Sequence, residues 1–159
     1  MNKVNILLKD SIIKNFSNFN GYWVKNRDNY DKELGDILGW VSQQESRYDL
    51  ITPEGYKVEV KKCKSDNPIF KYKQLAESLL EKGKYNIKIM ILKTNKEQTK
   101  VIEVRLYDEY QLARLILKDE NTARDIIRLS EKLGGVYQCS KSFKMILSAE
   151  LWRYFGNRV

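Results

Sequence analysis

The 159-residue chain contains no histidine. That excludes a histidine general base and any histidine metal ligand, and leaves carboxylates, lysine, tyrosine and cysteine for acid–base work. Its two cysteines, Cys63 and Cys139, have neither zinc-ligand nor redox-pair spacing, so reduced, buried thiols are expected. No run is long and apolar enough to span a membrane. The opening Met1–Asp10 lacks the apolar core of a signal peptide, and an intracellular, cytoplasmic protein with no membrane partner is the expectation. Acid is short as well. The 21 acidic residues face 29 basic ones, and the net charge of +8 favours a polyanionic partner, nucleic acid first. No repeat, low-complexity stretch or linker divides the chain, so residues 1–159 are read as one domain with a sizeable core.

What is present centres on Arg47–Lys62, which reads as two short strands joined by Thr52-Pro53-Glu54-Gly55. Proline at the second turn position and glycine at the fourth suit a type I turn. Along the second strand, alternation sends Val58 and Val60 to one face and Lys57, Glu59 and Lys61 to the other. Asp49, on the facing strand, brings a second carboxylate towards Glu59. Two carboxylates with one lysine have the composition of a site that holds a magnesium ion and activates a water.

Asp49, followed after the turn by Glu59-Val60-Lys61, resembles the signature of the PD-(D/E)xK nucleases. The resemblance covers about residues 30–93. Asp49 is preceded by Tyr48 where the literal pattern has proline, a departure frequent in that family. The resemblance implies a restriction-endonuclease-like fold of the α/β (α+β) class, with a mixed central sheet flanked by helices and extra C-terminal helices. It implies a metal-dependent DNA endonuclease of restriction, junction-resolving or phage or repair type, using Mg²⁺ with Mn²⁺ as substitute. Asp49 and Glu59 would bind the metal, and Lys61 would act on the attacking water or the transition state. Glu33, on the preceding helix, is matched to the family's additional acid, and Gln74 to a water-orienting glutamine. DNA is the expected partner and a homodimer the expected assembly. The alternative from a different class is a catalytically inactive DNA-binding or assembly protein of the same fold.

The rest of the chain is read around this core of about residues 29–107. Val4, Leu7, Leu8, Ile12 and Phe16 predict an N-terminal helix over 3–17, followed by a loop over 18–29. Tyr30, Leu34, Ile37, Leu38 and Val41 predict a helix over 29–43. Asn67 and Pro68 announce a helix ended by Gly83, with Tyr72, Leu75, Ala76, Leu79 and Leu80 on its apolar face. Residues 86–93, apolar on both faces, predict a central strand, and residues 101–107 a second one. Beyond them, residues 108–156 read as helices, the first capped by Asp108 and the second by Asn121. Lys57, Lys62, Lys64, Lys71 and Lys73, interleaved with Tyr56, Phe70 and Tyr72, are the candidate contacts to a nucleic-acid backbone.

Overall fold

The computed structural model describes residues 30–43, 47–98, 101–134 and 137–146. The expected helix over 3–17, the loop over 18–29 and the tail beyond Ile146 lie outside the described residues.

Helix α1 (Tyr30–Leu38) buries Leu34 and Leu38 and packs Ile37 against the same core. It ends five residues before the predicted limit of 43. Gly39 takes a φ of 72°, and the Trp40 N–H donates back to the Gly35 carbonyl at 2.8 Å, closing the helix. Gly35 serves a different need, because a Cβ there would meet the Trp40 carbonyl at 2.7 Å. Val41, expected on the apolar stripe, is 61% exposed and belongs to an edge strand, β1 (Val41–Ser42).

Strands β2 (Leu50–Ile51) and β3 (Lys57–Cys63) flank the predicted turn, in which the Gly55 N–H donates to the Thr52 carbonyl at 2.9 Å. Between β3 and the interior strand β5 (Ile87–Thr94) the pairing is parallel, so the chain must cross over the sheet. Strand β4 (Ile69–Lys71) and helix α2 (Tyr72–Leu80) make that crossing. Strand β6 (Val101–Asp108) then pairs antiparallel with β5. The order β1-β2-β3-β5-β6 gives one mixed, five-stranded sheet.

Period-two alternation divides the apolar residues of this sheet between two cores. Val58, Val60, Met90, Leu92, Val104 and Leu106 meet α1 on one face. Ile89, Ile91 and Tyr107 meet α2 and the later helices on the other. Those are α3 (Glu109–Leu117), α4 (Glu120–Lys132) and the short α5 (Phe143–Ile146). A mixed sheet flanked by helices is the fold, as the sequence predicted.

Two predicted helix starts are corrected. Helix α2 begins at Tyr72, four residues after Pro68, because Ile69–Lys71 pairs with a strand unseen in the sequence, β7 (Gln138–Ser140). Burying Phe70 in that pairing outweighs the cap signal at Asn67. Asp108 caps α3 as expected, accepting from the Gln111 N–H at 3.2 Å. Asp119, not Asn121, caps α4, accepting from the Thr122 N–H at 2.7 Å. Asp119→Ala should therefore lower the urea unfolding midpoint at unchanged slope, and Asn121→Ala should not. Equal losses at both positions would overturn this assignment. Among the described residues no helix is long and apolar enough to cross a membrane.

Candidate active site

Strand β3 carries the site on one of its two faces. With Val58 and Val60 committed to the α1 core, alternation turns Glu59 and Lys61 under α2 and α3. Lys61 Nζ lies 3.1 Å from Glu59 Oε1 and 3.3 Å from Oε1 of Gln74, in the first turn of α2. The candidate water-orienting glutamine is thus brought to the lysine itself.

Asp49 lies one residue ahead of β2 and, one step beyond the Leu50–Val58 pair, comes alongside Glu59. Its N–H donates to the Val58 carbonyl at 2.9 Å. Its carboxylate Oδ2 accepts from the Val60 N–H at 2.8 Å, so the β3 backbone holds it between Glu59 and Lys61. The sequence-predicted Asp49, Glu59, Lys61 and Gln74 therefore form one cluster.

The electrostatics follow from burial. Glu59 is 8% exposed, and desolvation pushes its carboxyl up to about 7. The Lys61 charge opposes that rise and the Asp49 charge adds to it. Burial also raises Asp49, against the Val60 N–H bond and Lys61, with Asp31 as a further acidic neighbour. Two carboxyls that resist ionising together make a place where added positive charge is favoured.

Glu33 is not part of this cluster: it is exposed, and the α1 carboxylate whose charge reaches Asp49 is Asp31. The reason is helical phase. Asp31 stands three residues before the buried Leu34 and shares its side of the helix, whereas Glu33 is turned about 100° away. That spacing was available in the sequence. Two other residues were missed without such a signal. Arg47 donates to Glu77 of α2, to Glu81 at the C-terminal cap of that helix and to Glu109 of α3, and Glu109 is only 2% exposed. Burial pushes Glu109 up to about 7, against Arg47, a hydrogen bond with Ser78 and the charge of Lys61.

The candidate nucleic-acid lysines fall into separate groups. Lys62 and Lys64 line a cleft of about 600 Å³ with Lys61, Ser65, Asn67 and Thr94, at the carboxyl end of β3. Lys71 and Lys73 are exposed where β4 joins α2. Lys57 is at the opposite end of β3, roughly 20 Å away by strand rise, with its ammonium 5.4 Å from the Tyr48 ring centre. Lys57 thus stands apart from the others, while the charge of Lys71 reaches Asp49 in the site itself.

No protein-family model and no curated protein matches the chain.

Proposed function

We propose that this protein is a metal-dependent DNA endonuclease of the restriction-endonuclease-like class, acting inside the cell as a homodimer. The observation that carries the reading is the Lys61 ammonium, held between Glu59 and Gln74, beside an Asp49 carboxylate fixed on the same strand. The order of helix, three antiparallel strands, helix and parallel strand supports it further.

The donors suit a hard divalent cation. Among the described residues no three histidine, cysteine, aspartate or glutamate side chains gather as a metal-binding group. Two carboxylates are nonetheless the usual protein share for Mg²⁺, which keeps several waters and takes substrate phosphate oxygens. Asp49 and Glu59 would hold Mg²⁺ or Mn²⁺, and the bound ion would supply polarisation of the phosphodiester and a water of lowered pKa. Lys61 would donate to the attacking water or to the phosphorane oxygens as negative charge builds there. Gln74, accepting from the ammonium, keeps it aimed at that position. Lys62 and Lys64 would carry the DNA backbone through the adjoining cleft, which fixes its register without reading its sequence. With one site per chain, cutting both strands needs two copies.

Supercoiled plasmid tests the proposal. Purified protein with Mg²⁺ or Mn²⁺ should nick and linearise it, and EDTA should stop the reaction. DNA affinity should fall steeply with salt, and Lys62→Ala or Lys64→Ala should each reduce that salt slope by about 1. DNA binding without cutting under any metal would replace the proposal with a non-catalytic DNA-binding role. A strict monomer on substrate, seen by sedimentation, would remove the dimer from it.

A further inference from the structure

Beside the apolar face of Leu75, Ala76 and Leu79, helix α2 carries a polar stripe. Gln74, Glu77, Ser78 and Glu81 stand at i, i+3, i+4 and i+7, a spacing that aligns them on one side of the helix. The stripe is polar, yet each member has a partner among the site-bearing segments. Gln74 accepts from Lys61, while Glu77 and Glu81 accept from Arg47 at 3.1 and 3.2 Å. Ser78 hydrogen-bonds Glu109, which takes the other Arg47 nitrogen at 3.1 Å.

Arg47 is thus gripped at three carboxylates from two helices, and its side chain is only 18% exposed. The Tyr85 ring covers it from 5.8 Å. Its Nε is buried without a hydrogen-bond partner among the described residues, so the hold is made by the two terminal nitrogens. Two residues further on, Asp49 precedes a strand of only two residues. Asp49 itself is tied by its N–H to the Val58 carbonyl and by its carbonyl to the Gln43 N–H, so the Arg47 grip lies just beyond the end of a short ladder.

We infer that Arg47 is a positioning residue, which clamps the segment Arg47–Asp49 to α2 and α3 so that the Asp49 carboxylate stays on the Val60 N–H beside Glu59. The inference deepens the nuclease reading and rests on it for the purpose of the clamp, but not for the clamp itself. A guanidinium suits the task because its planar fork reaches carboxylates on two helices at once. A lysine carries the charge without the fork. Residues that orient a metal-binding carboxylate from behind typically change metal affinity or activity by 10–100-fold when replaced.

The test reads the Val60 amide directly, because its hydrogen-bond acceptor is the Asp49 side chain. Hydrogen exchange by NMR is compared in wild type, Arg47→Met and Arg47→Lys, with Asp49→Ala setting the unprotected rate. Mn²⁺ affinity is measured on the same proteins by EPR, without DNA. Both Arg47 variants should exchange Val60 about tenfold faster or more, with Ile89 and Ile91 in β5 unchanged, and bind Mn²⁺ about 10–100-fold more weakly. Unchanged Val60 exchange and Mn²⁺ affinity would overturn the inference. Faster exchange shared by Ile89 and Ile91 would also overturn it, leaving Arg47 a merely structural residue. Val60 protection that depends on Arg47 in a wild type that binds no Mn²⁺ would keep the clamp and remove the nuclease reading. Should neither Arg47 variant fold, Glu81→Gln loosens one grip at a half-buried position and carries the same readouts.

Discussion

Lys61→Met should lower metal-dependent plasmid cleavage by about 10²–10⁴-fold, the range for losing a positioned proton donor or charge stabiliser. Methionine keeps the apolar stem of the side chain and removes the ammonium. Gln74 then has no charge to aim, and Glu59 loses the cation that opposes its burial. Glu59→Gln should cost at least as much, through loss of an oxygen proposed to bind the metal. If Glu59 and Lys61 act at one reacting centre, as proposed, the double variant should be little worse than the worse single one. DNA affinity is the internal control. Lys61→Met should bind DNA within a few fold of wild type, whereas Lys62→Ala and Lys64→Ala should weaken binding and leave the turnover of bound DNA largely intact. Initial rates on supercoiled plasmid, with circular dichroism to verify folding, decide the matter. Cleavage that survives both Lys61→Met and Glu59→Gln would mean that the chemistry belongs elsewhere.

The residues that read correctly from the sequence share a short range. The turn at Thr52–Gly55 and the alternation along Val58–Lys61 are local patterns, and the sheet obeys them because Val58 and Val60 have a core to enter. The two-sided apolar run of β5 is equally local, and its burial on both faces follows. The failures are long-range. Ile69–Lys71 looked like a first helical turn because its partner, β7, lies some 69 residues further on. Nothing near Ile69 in the sequence announces that pairing. Arg47 and Glu109 are in the same position: they meet only because α2 and α3 pack on the same sheet face, and 62 residues separate them. Glu109 in particular looks like an ordinary first-turn acid beside the Asp108 cap. Asp31 is the exception: three residues before the buried Leu34, its phase is legible in the sequence, and Glu33 lies off it.

The second large effect is a pH dependence built into the buried carboxyls. Glu59 sits at about 7 in the folded protein against an ordinary 4.5, chiefly through desolvation. Between those values the folded state holds a proton that the unfolded state has released. Stability therefore falls as pH rises across that window, and the full cost is present above pH 7. Glutamine has nothing to release. The difference in stability between Glu59→Gln and wild type should thus shift in favour of the variant from pH 5 to pH 8, by about 3 kcal/mol at the upper limit. Glu109, raised to about 7 by burial against Arg47, contributes with the same sign to both proteins and largely cancels in the difference. A divalent cation should reverse the trend in wild type alone. Metal and proton compete for the same carboxylates, so Mn²⁺ affinity should climb between pH 6 and pH 8, and its stabilisation should offset the loss. Urea titrations of both proteins at pH 5, 6, 7 and 8, with and without Mn²⁺, read every part of this. Parallel stability curves for wild type and Glu59→Gln would show that Glu59 ionises at its ordinary value. The carboxyl pair would then lack the electrostatic strain that favours a cation between Asp49 and Glu59.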